Sequence, residues 1–275
     1  MLGKLMKYEF KATSRFMLLM YVVLFAISAI ISLSIRFNID ELFEAVSNRF
    51  ELGTMLLAVI SAMVLFMFFA MNVVVLCGMF FYSISRFKNN MLGDEGYLMH
   101  TLPVKVRDNI LAKTFVSTIW TVLSVIAVII AYIILFLGFA DTNTFNILFR
   151  ALSKIDVNML LSLGEVFLVL AELLILLLAA AVQMYLHIYA SMAVGYSSNT
   201  HRAAKSIGVY ILISIVLNIV ETTALFPFLT FGLITDGSLN SIHFTMLYSI
   251  VITIIWAVVF YFITEYFMKK KLNLQ

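Results

Sequence analysis

Residues 16 to 35 read FMLLMYVVLFAISAIISLSI, and this stretch decides the class of the fold. It contains no charged residue, and it has the roughly 20 residues that an α-helix needs to cross the hydrocarbon core of a bilayer. It lacks the strict alternation of apolar and polar side chains that is typical of strands in membrane barrels. Because a backbone in lipid must satisfy its own hydrogen bonds, the stretch predicts a membrane-spanning helix.

Five further apolar runs follow the first, and the whole chain is 63% hydrophobic and only 12% charged. Soluble domains carry about 25% charged residues, so this composition excludes a soluble globular protein. The sequence predicts an all-α integral membrane protein with six transmembrane helices, and no repeat or linker divides residues 1–275 into more than one domain. The predicted spans are Phe16–Ile35, one within Leu52–Ser85, one within Thr114–Ala140, about Glu165 to Gly195, one starting near Ser206, and about Phe244 to Phe267.

The distribution of basic residues predicts the orientation of these spans. Of the 18 lysines and arginines, all but Arg36, Arg49, Arg150 and Lys154 lie in the N-terminal segment, the second and fourth connections, and the C-terminal tail. Basic connections stay in the cytoplasm, so both termini are predicted to be cytoplasmic.

Residues 1–15 carry an amphipathic pattern of their own and predict an interfacial helix that lies in the membrane plane. An ordinary basic flank that only sets the topology is the alternative. A cleaved signal peptide is disfavoured, because the apolar run that follows is longer than the 7–15 residues of a signal core. The residues chosen for the interfacial helix are Lys4, Lys7, Tyr8, Phe10 and Lys11.

Motifs of several enzyme classes are absent from the sequence. No glycine-rich phosphate loop occurs, so ATP hydrolysis, if any, belongs to another chain. The four histidines have no metal-ligand spacing, and the single cysteine, Cys77, cannot form an intrachain disulfide. No catalytic residue, metal site or cofactor is predicted, and the net charge of +3 is too small to indicate a nucleic-acid partner.

Two short segments carry a family resemblance: residues 7 to 10 read KYEF, and residues 92 to 104 read LGDEGYLMHTLPV. Together with the six-span layout, they resemble the permease subunit of type-2 ATP-binding cassette (ABC) exporters. The resemblance covers the whole chain in layout, and these two segments are its sequence-specific part. It implies a multi-pass protein of the bacterial cytoplasmic membrane, paired with a second permease copy or a sister chain. A nucleotide-binding ATPase subunit would hold the ATP and Mg.

In that family the connection between the second and third spans, here residues 86–113, forms a coupling helix that docks on the ATPase. The glycines permit a sharp turn beside two carboxylates, apolar side chains offer anchors for a partner, and the proline ends the element. A solvated loop that only touches the bilayer is the alternative. The resemblance also implies a re-entrant hairpin between the fifth and sixth spans, over Thr222 to Ile234. The predicted coupling residues are Gly93, Asp94, Glu95, Gly96, Tyr97, Leu98, Thr101, Leu102 and Pro103.

Polar residues form a stripe along the fourth span and another along the fifth, at helical spacing. Such residues avoid lipid, so they line a translocation path or form hydrogen bonds between helices, and both readings remain open. If the hairpin forms, Glu172 and Glu221 would meet in an acidic outer vestibule. The translocation-path candidates are Glu172, Gln183, His187, Ser214, Asn218 and Glu221.

The predicted function is therefore the membrane subunit of an ATP-driven exporter of an amphipathic substrate, such as an antimicrobial or toxin peptide or a drug-like molecule. A structural or regulatory subunit of a membrane complex is the alternative from another class. An intramembrane enzyme is a third possibility, for which the sequence offers no positive sign.

Overall fold

The computed structural model describes residues 2–36, 51–93, 96, 104–139, 147, 150, 157–198, 200–230 and 239–270. A π-helical turn, Lys88–Leu92, continues the second helix. The six α-helices are α1 (Leu2–Arg36), α2 (Glu51–Phe87), α3 (Val106–Phe139), α4 (Val157–Tyr196), α5 (Arg202–Thr230) and α6 (Leu239–Lys270).

All six helices are long and apolar enough to cross a membrane, which confirms the predicted number of spans. Helix α4 has 40 residues. At 1.5 Å per residue it is about 60 Å long, twice the roughly 30 Å of a hydrocarbon core. Helix α4 therefore extends beyond the part that crosses the hydrocarbon core.

The N-terminal segment differs from the prediction, because α1 is one helix from Leu2 to Arg36. The described residues of the segment 1–15 thus form no separate helix, and the position of this segment in the membrane plane stays a prediction. No glycine or proline occurs between Lys4 and Arg36, so nothing in the sequence breaks the helix where the charged part meets the apolar part. The amphipathic pattern survives within α1: Lys4, Lys7, Tyr8 and Lys11 are exposed, and Phe10 is half-buried.

The predicted coupling connection is shorter than residues 86–113. Helix α2 and its π-helical turn continue to Leu92, and α3 begins at Val106. Only residues 93–105 lie between these elements. Of the predicted coupling residues, Gly93 and Gly96 are described, and Asp94, Glu95, Tyr97, Leu98, Thr101, Leu102 and Pro103 lie outside the described residues.

The predicted break after Glu221 is not found, because α5 continues through Pro227 to Thr230. Proline removes one backbone hydrogen bond, and membrane helices tolerate this loss when neighbouring groups satisfy the freed carbonyl. Residues 231–238 lie outside the described residues, so the hairpin as a whole stays a prediction.

The chain divides into two compact units, one of Met1–Phe10, Tyr82–Ile119 and Asn158–Gln275, and the other of Lys11–Phe81 and Trp120–Val157. Within the second unit, the hydroxyl groups of Tyr21 and Ser124 are 2.7 Å apart and share a hydrogen bond. Phe68 meets the Tyr132 ring edge to face, with centroids 5.3 Å apart. The first unit contains the charged residues considered next.

Candidate functional site

An ion cluster of Glu9, Arg86 and Lys113 joins three helices of the first unit. Arg86, at the end of α2, donates from Nη2 and Nε to Glu9 Oε2 at 2.8 and 3.2 Å. Lys113, about two turns into α3, donates from Nζ to the other carboxylate oxygen, Oε1. One carboxylate on α1 therefore binds a cation on each side of the segment 93–105.

The cluster is poorly exposed to solvent. The side chain of Lys113 is only 5% exposed, and those of Glu9 and Arg86 are 15% and 24% exposed. The Tyr82 side chain forms a further hydrogen bond with Arg86. Charges with so little exposure are strongly destabilising without a partner, so the Glu9 carboxylate fixes the positions of both cations.

Aromatic side chains pack together at the end of the first unit that contains the ion cluster. The rings of Phe87 and Tyr189 stack 3.7 Å apart at an interplanar angle of 6°, and both side chains are fully buried. The hydroxyl group of Tyr189 shares a 3.3 Å hydrogen bond with Ser117 of α3. Helix α4 is thereby packed against the ends of α2 and α3 that carry Arg86 and Lys113.

The segment predicted to couple to a partner begins at Gly93, directly after the π-helical turn. The N–H of Gly93 donates to the carbonyl of Lys88 at 2.9 Å, which ends the π-helical turn, and the N–H of Gly96 donates to the carbonyl of Gly93 at 2.8 Å. A Cβ atom on Gly93 would lie 2.9 Å from the Asn89 carbonyl oxygen, so the turn requires glycine there. The two glycines are therefore joined by a backbone hydrogen bond, and the residues between them lie outside the described residues.

Helices α4 and α5 approach each other closely beside their short connection. A Cβ atom on Gly195 would lie 2.6 Å from Cα of Ser206, so the two backbones can be this close only because residue 195 is glycine. The connection ends at His201, whose φ of 51° reverses the chain direction. This is the same end of the spans as the ion cluster, on the predicted cytoplasmic side.

Two of the translocation-path candidates meet other helices. His187 lies between the rings of Tyr210 on α5 and Phe260 on α6, at centroid distances of 4.5 and 4.8 Å. Glu172 lies 2.8 Å from Nδ1 of His243 on α6. The stripes of the fourth and fifth spans thus meet at His187 and Tyr210, and Glu172 pairs with the sixth span.

The other candidates stay on their own helices. Ser214 donates to the Tyr210 carbonyl and Asn218 to the Ser214 carbonyl, each at 2.8 Å. Gln183 and Glu221 are half-buried. For Ser214 and Asn218 the contacts are local hydrogen bonds within α5, so they do not join helices.

Sequence reasoning missed the ion cluster and the role of His243. Glu9 is the only acidic residue among the four basic residues of the N-terminal segment, and Arg86 and Lys113 flank the coupling connection, so opposite charges near one membrane face were the available signal. His243 and Glu172 are polar residues near the predicted outer ends of apolar spans, which often pair. In the described part of the chain, no three histidine, cysteine or acidic side chains are placed to hold a metal ion.

In comparisons with protein-family models, curated protein sequences and solved structures, nothing matches this chain. A function must therefore be inferred from the six spans, the geometry of the first unit and the two short segments that resemble the exporter family.

Proposed function

We propose that this chain is the permease subunit of an ABC exporter, which moves an amphipathic substrate outward with ATP hydrolysed by separate subunits. Two permeases, identical or sister chains, would assemble with two nucleotide-binding subunits in the bacterial cytoplasmic membrane. Both chain termini would be cytoplasmic, and the segment 93–105 would dock on the ATPase.

The observation that supports this proposal best is the position of Glu9. It belongs to the first of the two family-like segments, KYEF, and its carboxylate contacts Arg86 and Lys113 on either side of the second. Two segments far apart in sequence, identified only by their resemblance, are thus linked through one ion cluster. A role in coupling the ATPase to the spans would explain why both segments are present.

The cluster also suggests how motion would reach the spans. Without a link between the helices on either side, a push by the ATPase on residues 94–103 would only bend this segment. Because Glu9 joins the helix before the segment to the helix after it, a push instead moves α1, α2 and α3 together. Closure of the ATPase pair would then rock the permeases and open the path outward, which is a rigid-body transition between two packed states.

The test asks whether a phosphate-loop ATPase is encoded beside this chain and pairs with it. We expect the two proteins to co-purify, and the chain to raise the rate of ATP hydrolysis. Asp94→Lys with Glu95→Lys should abolish co-purification. Glu9→Gln should keep it but remove the stimulation of hydrolysis, because docking is intact and the link to the spans is lost.

Glu165→Gln serves as the matched control, because Glu165 is an exposed carboxylate on α4. It should leave both pairing and stimulation unchanged. If no phosphate-loop ATPase pairs with the chain, or if hydrolysis is independent of it, the structural or regulatory role replaces transport.

A further inference from the structure

A groove of about 630 Å³ runs along the first unit between α3, α4 and α6. Nine of its ten lining residues are aliphatic, and the tenth is Tyr261. The groove is open along its side, and it lies within helices that cross the membrane. Its occupant must therefore be apolar along most of its length.

The length of the groove matches one leaflet of a bilayer. Its lining on α4 extends from Ile175 to Leu186, a rise of about 16 Å at 1.5 Å per residue. Half of a hydrocarbon core is about 15 Å thick. Leu111, near the start of α3, also lines the groove, so it begins at the end of the spans that carries the ion cluster and extends toward the bilayer centre.

A single flexible hydrocarbon chain suits a groove of this size, which falls within the usual range of small-ligand pockets.

The end of the groove nearest the ion cluster carries a basic group. Arg107 precedes the lining residue Leu111 by one helical turn, so both lie on one face of α3. Its side chain is 51% exposed, its ion pair with the adjacent Asp108 is long at 3.9 Å, and it also interacts electrostatically with Glu265. The Tyr261 hydroxyl hydrogen-bonds to Glu265 and lies within electrostatic reach of Arg107. Lys269 pairs with Glu265 one turn further on.

From this arrangement we infer a binding site for an anionic phospholipid of the cytoplasmic leaflet. One acyl chain lies in the groove, and the headgroup phosphate contacts Arg107. The guanidinium group can donate two parallel hydrogen bonds to the phosphate of either headgroup, and the choline of a zwitterionic headgroup would bring a further positive charge close to Arg107, which favours the anionic one. The inference depends on the membrane-spanning helices and is independent of transport.

Native mass spectrometry of the purified chain tests the site, after exchange with phosphatidylglycerol or phosphatidylcholine of identical acyl chains. We expect the unmodified chain to retain one phosphatidylglycerol with a preference of about tenfold, as one charge-assisted contact provides. Arg107→Gln should remove this preference. Lys4→Gln, which changes an exposed lysine of α1, should keep it.

Filling the groove tests the acyl chain. Ala179→Trp places an indole inside the groove and should lower the retention of both lipids several-fold. Val258→Trp does the same from the half-exposed face of α6, in case the first variant does not fold. Leu177→Trp, on the exposed face of α4, is the matched control and should behave as the unmodified chain.

Equal retention of the two lipids by the unmodified chain would overturn the inference. So would unchanged retention in the folded groove variants, or a bound peptide or second copy of the chain in place of lipid.

Discussion

The two halves of α4 have opposite surroundings. From Tyr185 to Ala193 every side chain is buried, whereas from Gly164 to Ala171 all residues but Val169 are exposed. Both halves are apolar and belong to one continuous helix, so composition does not explain the contrast. The half near the ion cluster packs against neighbours within the chain, and the other half is available to lipid or to another subunit.

The kind of polar contact differs in the same way. Near the buried half, Glu9 binds two cations from two helices. Beside the exposed half, Glu172 contacts one histidine, which is charged only if it is protonated. A bundle held firmly at one end of its helices and lightly at the other suits a protein that receives force at the firm end and opens at the light end. The variants below test this difference, from the largest expected effect to the smallest.

Glu9→Gln should have the largest effect on stability. It removes the only carboxylate of the ion cluster and leaves the charge of Lys113, which is 5% exposed, without its counter-ion. We expect the free energy of unfolding in mixed micelles to fall by about 3 kcal/mol. Addition of Lys113→Met should recover part of the loss, because a buried pair can be replaced by apolar groups.

The exposed carboxylate variant Glu165→Gln provides the baseline, and it should change stability by less than about 0.5 kcal/mol. If the two glutamate variants are equally stable, the ion cluster does not hold the inner ends of the helices together.

Gly195→Ala should rank second. The added methyl group would lie 2.6 Å from Cα of Ser206, and a backbone atom cannot rotate away as a side chain can. We expect a loss of about 2 kcal/mol from forced separation of α4 and α5, measured by the same unfolding assay.

Gly208→Ala is the matched control, because a Cβ atom there meets nothing within 4 Å. It should stabilise the protein by about 0.5 kcal/mol through the better helix propensity of alanine. If both substitutions change the free energy of unfolding in the same direction, the close approach of the backbones at Gly195 does not affect stability.

Tyr189→Phe should rank third. The ring stack with Phe87 is kept, and only the hydroxyl contact with Ser117 is lost. The expected cost is about 1 kcal/mol, the usual value of one neutral hydrogen bond. Tyr8→Phe on the exposed side of α1 should cost nothing measurable. A loss as large as that of Glu9→Gln would mean that the Tyr189 hydroxyl group contributes as much to stability as the ion cluster.

Features of the fold that depend on residues close together in the sequence could be predicted, and contacts between distant residues could not. The six spans follow from length and hydropathy alone, which is why their number was right. The close approach of the Gly93 and Gly96 backbones is consistent with local glycine chemistry. The unbroken α1 and α5 were not predicted, since the interfacial helix was inferred from the amphipathic pattern of residues 1–15 and the hairpin from family resemblance.

The pairing of helices was beyond the sequence for a different reason. Glu9 and Lys113 are separated by 104 positions, and Glu172 and His243 by 71. Periodicity places each residue on a face of its own helix but does not determine which helix faces it. The polar stripes therefore identified His187 on the fourth span. They did not predict its contact with Phe260 or the contact of Glu172 with His243.

His243→Gln should have the smallest effect. The side chains of His243 and Glu172 are 24% and 19% exposed, and because the histidine need not carry a charge, the contact is a single hydrogen bond that contributes at most about 1 kcal/mol. The double-mutant cycle with Glu172→Gln should give a coupling energy of about 0.5 kcal/mol in the unfolding assay. A coupling energy above about 2 kcal/mol would mean that the outer half of α4 is held as firmly as the inner half, and the contrast between firm and light ends would be lost. A small value keeps Glu172 available for a partner or a substrate, because breaking its contact with His243 would then cost little.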